Sequence, residues 1–159
     1  MFLRVFSPTG DTLLSRQFGT QMNELLVGVM VDDAGDIILV GTTTGALIGQ
    51  GTGSSDAFLR IYGSDGTVKL TRQFGTSTDE SVDDVFVSGE NVYIVGTTEG
   101  GLIGSGTTGG KDVCLRVYDR AGSNLLTRQI GTTENDTNAR VVVNNTGEIF
   151  VAGILMARS

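Results

Sequence analysis

Arg72-Gln73-Phe74-Gly75-Thr76 decides the fold, because the same phrase stands at Arg16-Gln17-Phe18-Gly19-Thr20 and at Arg128-Gln129-Ile130-Gly131-Thr132. The copies lie 56 residues apart. Working outward, Phe58-Leu59-Arg60-Ile61-Tyr62 repeats Phe2-Leu3-Arg4-Val5-Phe6 and returns as Cys114-Leu115-Arg116-Val117-Tyr118. Gly10, Gly66 and Gly122 keep the offset, as do Val31, Val87 and Val143. Gly41 matches Gly96 and Gly153, with one residue lost from the loop before Gly96. The linker 42–57 returns one residue longer as 97–113. A fixed internal period marks an architecture of stacked repeats. The 159 residues therefore read as one repeat domain, with units 2–57, 58–113 and 114–153.

Each unit reads as four strands. The first is the F-L-R-V-F stretch, which a glycine-containing turn joins to a second strand over 13–18 and its copies. The third ends at 29–31, 85–87 and 141–143; the fourth covers 37–40, 92–95 and 149–152. Asp33-Ala34-Gly35-Asp36 and Asn145-Thr146-Gly147-Glu148 are hairpin turns by composition. β-branched and aromatic residues fill the strands. Several strands are apolar on both faces, as in sheets covered on both sides. Ser77-Thr78-Asp79-Glu80 has the spacing of a helix capping box. The run after it is short and β-branched, so a strand is expected there.

The units resemble the bacterial SBBP-type β-propeller repeat. Asp56-Ala57-Phe58-Leu59-Arg60, Thr71-Arg72-Gln73-Phe74-Gly75-Thr76 and Asn91-Val92-Tyr93-Ile94-Val95-Gly96-Thr97-Thr98 carry the resemblance. Where that family often has a tryptophan, Leu14, Leu70 and Leu126 stand here and keep an apolar slot. The resemblance implies an all-β propeller with one blade per unit and no single established activity. It also implies that the chain begins halfway through a blade, so that residues 2–18 and 138–152 are two halves of one. Three blade equivalents are fewer than the ~4–8 of a propeller. The expected partner is therefore a second copy, giving a homodimer that closes a six-bladed ring with two-fold symmetry. The alternatives are a three-fold β-trefoil or β-prism closing within one chain, and a segment of a longer array.

Composition excludes several functions. With no histidine, Ser-His-Asp and Cys-His catalysis and imidazole metal sites are absent. One cysteine allows no disulfide within the chain. Eighteen acidic and eleven basic residues leave a net charge of −7, which argues against nucleic acid as a partner. No apolar run approaches the ~20 residues of a membrane span, so no membrane insertion is expected. The N-terminus has no signal-peptide pattern. A cytoplasmic chain is the expectation, or a cell-surface one if it is a piece of an exported protein.

Columns alike in all units read as scaffold: Arg4, Arg60 and Arg116; Arg16, Arg72 and Arg128; Gln17, Gln73 and Gln129. The arginines are expected to meet carboxylates or loop carbonyls between blades. Columns that differ are candidate sites. Val27, Asp83 and Ala139 share one, and Gly28, Asp84 and Arg140 the next. With Asp79 and Glu80, the second unit gathers four carboxylates, a candidate Ca²⁺ or ligand site beside Arg140. Adjacent on a strand, Asp83 and Asp84 are expected to point to opposite faces and so not to flank one bond. The leading expectation is a non-enzymatic scaffold for a protein or carbohydrate partner, with no catalytic residues. The alternative is a glycan-active hydrolase or lyase using channel carboxylates. Gly104-Ser105-Gly106-Thr107-Thr108-Gly109 matches G-x-G-x-x-G but follows no strand directly and opens no helix, so it reads as a loop. Ser64-Asp65-Gly66-Thr67 reads as a hairpin turn and Cys114 as a buried apolar filler.

Overall fold

A computed structural model describes residues 1–49, 51–102 and 109–156. Among these there are twelve strands and no helix. The first unit supplies β1 (Phe2–Phe6), β2 (Thr12–Gln17), β3 (Glu24–Val31) and β4 (Ile37–Thr43). The second supplies β5 (Asp56–Tyr62), β6 (Val68–Phe74), β7 (Glu80–Ser88) and β8 (Asn91–Thr98). The third supplies β9 (Asp112–Asp119), β10 (Asn124–Ile130), β11 (Thr137–Val143) and β12 (Ile149–Ile154). Ser77–Thr78 precede β7, so the capping-box spacing serves a strand entry.

Sheet boundaries do not follow unit boundaries. β1–β2 is a two-stranded pair, β3–β4–β5–β6 and β7–β8–β9–β10 are four-stranded meanders, and β11–β12 is a second pair. All strand pairings are antiparallel. β4 meets β5 with Ile38 opposite Ile61 and Gly41 opposite Phe58; β8 meets β9 with Tyr93 opposite Val117 and Gly96 opposite Cys114. No pairing joins β12 to β1.

Turn chemistry sets the hairpins. Gly10, Gly66 and Gly122 all have φ of +77° to +91°, a left-handed conformation that suits glycine. Each donates its N–H to the carbonyl three residues earlier, at Ser7, Gly63 and Asp119. The residue missing from the middle unit comes from the β7–β8 hairpin, which turns on Gly89 and Glu90 alone between paired Ser88 and Asn91.

The sheets pack face to face through three apolar layers. Leu3, Ile37, Leu39 and Tyr62 form the first, between β1–β2 and the first meander. Ile38, Val40, Leu59, Ile61, Val85, Val92 and Ile94 form the second, between the two meanders. Tyr93, Val95, Leu115, Val117, Ala139 and Val141 form the third, between the second meander and β11–β12. Alternation explains this division. Ile37 and Leu39 enter one layer while Ile38 and Val40 enter the next, because successive strand residues point to opposite faces. A both-sides-apolar strand is thus a strand between two layers.

The repeated arginines hold these layers in register. Arg16 Nε donates to Gly66 O at 3.0 Å, and Arg72 Nε donates to Gly122 O at 3.0 Å. Each reaches the β-turn of the following sheet. In the other arginine column, Arg60 and Arg116 stack on aromatic rings instead of meeting carboxylates. Arg60 lies 5.1 Å from the Phe18 ring centre and Arg116 lies 4.9 Å from Phe74, which is cation–π geometry. Gln73 bridges the Leu47 N–H, Gly45 O and Asp56, and Gln129 repeats this with the Leu102 N–H, Gly100 O and Asp112.

The G-T signature has a steric cause. A Cβ built on Gly75 would fall 2.3 Å from both an Asp56 oxygen and a Glu80 oxygen. Both carboxylates are buried. Glu80 accepts from the Thr76 N–H at 2.6 Å and from the Thr76 and Thr98 hydroxyls at 2.7 and 2.8 Å. Asp56 accepts from the Thr52 N–H, the Thr52 hydroxyl and Gln73. Gly75→Ala is expected to lower unfolding free energy by about 1–3 kcal/mol, as overpacking does. Urea denaturation checks it; an unchanged midpoint would remove the steric explanation.

Candidate functional site

The four carboxylates singled out from the sequence separate into distinct environments. Glu80 is buried among threonines, as described. Asp79 is exposed at the entry to β7, where it bridges to Ser55. Asp83 and Asp84 lie at the seam between β7 and β11. Asp83 Oδ2 accepts from the Ala139 N–H at 3.0 Å, and Asp84 Oδ2 accepts from the Val141 N–H at 3.1 Å. Asp84 Oδ1 also accepts from the Val85 N–H at 2.9 Å. Arg140 joins them, donating to Asp83 O at 3.3 Å.

The expectation that Asp83 and Asp84 point to opposite faces is corrected. Both carboxylates reach β11. The reason is a bulge, a register shift between Val82 and Asp84 against β8. A bulge sets two residues against one and breaks simple alternation. The same shift falls between Leu26 and Gly28 and between Thr137 and Arg140.

The seam also explains why these columns vary. At the β3–β7 seam the corresponding residue is Gly28, and a Cβ there would fall 2.6 Å from Val85. β3 and β7 therefore approach closely. At the β7–β11 seam Asp84 occupies that column and gives the Val141 backbone N–H of β11 a partner. Among the described residues no cluster of three or more acidic or cysteine side chains is placed to hold a metal ion.

A cleft of 380 Å³ opens at the entries of β3 and β7. Asn23, Thr42, Thr44, Ser55, Ser81, Thr97 and Lys111 line it together with Asp79 and Glu80. Ser81 and Thr97 share a 2.6 Å hydroxyl contact, and Lys111 pairs with Glu99 at 3.2 Å. Asp79 is the one candidate from the sequence with an exposed carboxylate in this cleft. The hydroxyl lining went unread because no motif announces scattered Ser and Thr that converge only in space. The G-x-G-x-x-G stretch lies mostly outside the described residues. In Ser64-Asp65-Gly66-Thr67, Asp65 accepts from the N–H and hydroxyl of Thr67. The Thr67 backbone N–H is the main cause holding the Asp65 carboxyl below its ordinary range.

No family model matches the chain. Over 156 residues the chain is 27% identical to Regulatory protein FlaEY of Caulobacter vibrioides, with 87% of this chain and 16% of that protein covered. The chain thus spans about one sixth of that relative's length.

Cys114 sits in β9, and burial pushes its thiol up to about 12. Its contribution to stability is complete below pH 9 and is lost as pH rises toward 12, because only the neutral thiol suits the core. Native protein at pH 8 should resist thiol labelling until urea unfolds it; rapid labelling of folded protein would contradict this burial. Asp84→Ala should cost about 1.5–3 kcal/mol, the range for hydrogen bonds to a charged group. Amide exchange at Val141 should speed up, and unchanged exchange there would argue against the seam role. Calcium should leave the wild-type melting temperature unmoved; a rise that Asp83→Ala abolishes would restore a metal site.

Proposed function

We propose that the chain is a non-enzymatic β-propeller repeat module, a binding or structural scaffold for a protein or carbohydrate partner. Support comes from sheet order. Each meander runs outward from a first strand, β3 or β7, as a blade does. β3, β7 and β11 pack in succession, as the innermost strands of adjacent blades would. β1–β2 then corresponds to the outer half of a blade and β11–β12 to the inner half. The SBBP-type resemblance leads to the same assignment.

The observation that carries the scaffold reading is how the polar side chains are used. Arg16, Arg72, Asp83 and Asp84 all bond to backbone groups across seams, and Asp56 and Glu80 are enclosed by threonine donors. Side chains that could serve chemistry instead join sheets. The cleft near Asp79 offers hydroxyls, one exposed carboxylate and Lys111, a surface suited to polar recognition. The relative's name, a regulatory protein, accords with a binding role.

The test is a reducing-end assay over a glycan panel, with glycan-array binding in parallel. Wild type and Asp79→Ala should show no turnover. Turnover by wild type that Asp83→Ala or Asp84→Ala abolishes would overturn the scaffold reading. Any array ligand should lose affinity on Asp79→Ala by about tenfold, the effect of one charged hydrogen bond.

A further inference from the structure

The geometry points to a specific edge-to-edge closure between two copies of this chain: β12 of one pairs antiparallel with β1 of the other, and Arg128 of the first caps the Gly10 turn of the second. This pairing rests on the propeller reading and names its partner and register.

Equivalent columns give the first support. Phe2 is 71% exposed, while Phe58 and Cys114 in its column are 0% and 5% exposed. Phe6 is 53% exposed against 2% for Tyr62 and 3% for Tyr118. Phe150 is 53% exposed against 0% for Ile38 and 7% for Tyr93. The same positions are core wherever a β4–β5 or β8–β9 pairing exists. They are bare only on β1 and β12, whose mutual pairing is the one missing from the series. An apolar open sheet edge invites a strand.

The two existing pairings dictate the register. Transferring Ile38 opposite Ile61, and Tyr93 opposite Val117, places Phe150 opposite Val5 of the second copy. Gly41 opposite Phe58 places Gly153 opposite Phe2 of the second copy. The result is a four-stranded sheet, β11–β12 of one copy with β1–β2 of the other. A groove of 650 Å³ already lies beside β1, lined by Leu3, Val5, Phe6, Val29, Val31 and Ile37. Phe150 of the second copy has the alternation to enter it.

An independent observation comes from the turns. A Cβ on Gly66 would lie 2.4 Å from Leu14 and 2.9 Å from Arg16; on Gly122 it would lie 2.7 Å from Leu70 and 2.8 Å from Arg72. A Cβ on Gly10 would meet nothing within 4 Å. Leu126 and Arg128 are the matching pair in the third unit, and the hydrogen bond Arg128 makes is to its own neighbour, Thr127 O. Each copy therefore presents one open turn, Gly10, and one arginine, Arg128, that reaches no following turn, at opposite ends of the repeat series. Two copies satisfy both ends at once, through a closed two-fold arrangement.

Light scattering on the chain should give twice its 16.7 kDa. Phe150→Asp should weaken association at least about 100-fold, as loss of a buried aromatic anchor does. Arg128→Ala should weaken it about tenfold. Both residues are exposed in one copy, so thiol protection of Cys114 should persist and report an intact fold. Val5→Cys with Phe150→Cys should link two copies by disulfide, since directly opposed strand residues have suitable Cα spacing. The off-register pair Val5→Cys with Ala152→Cys should not. A monomer with no cross-link overturns the closure alone. A disulfide within one chain overturns the closure and the propeller reading together. A dimer that cross-links in the off-register pair, or in neither, overturns the closure proposed here.

Discussion

A strand that is apolar on both faces needs a neighbour on both, and everything else in this chain follows from that requirement. β4, β5, β8 and β9 each alternate between two layers, so neither four-stranded sheet can be covered by a single neighbour. The sheets stack in chain order and share their cores. Burial of apolar area, ~25 cal/mol per Å², makes these layers the main stabilising term. The polar contacts then choose among possible slidings of one sheet over the next.

Those polar contacts repeat with the unit. Arg16 and Arg72 reach the next turn carbonyl, Arg60 and Arg116 stack on the preceding aromatic, and the glycine of R-Q-[FI]-G-T makes room for enclosed carboxylates. A charged side chain in a packed layer is costly without a partner, and a repeat solves the problem once and copies it. The seams are not identical, however. Gly28 brings β3 close to Val85, whereas Asp84 bonds to β11. Variation between units here goes with differences in local packing.

Strand positions were legible because turn glycines and both-sided apolar runs are local signals. β3 and β11 end where the repeat alignment put them, at Val31 and Val143, and β7 runs one residue further, to Ser88; Cys114 is buried like Phe58 in its column. The carboxylate cluster was legible as a density of oxygen, but the separation of its members into different environments was not. Asp83 and Asp84 turn to one seam because of a bulge, and a bulge is set by pairing with β8, not by residue type. The hydroxyl-lined cleft was not legible at all, since Asn23, Ser55, Thr97 and Lys111 come from four different connections and strands.

By itself the sequence determined the repeat, the all-β class and the residues that must be covered, because period, turn chemistry and alternation are properties of neighbours along the chain. The tertiary structure decided where sheets begin and end. It joined β4 to β5 and β8 to β9 across unit boundaries, and left β1–β2 and β11–β12 as separate pairs. It also decided which acids meet which backbone. Those outcomes depend on hydrogen bonds between residues far apart in the chain, and no local pattern encodes which edge a strand will meet.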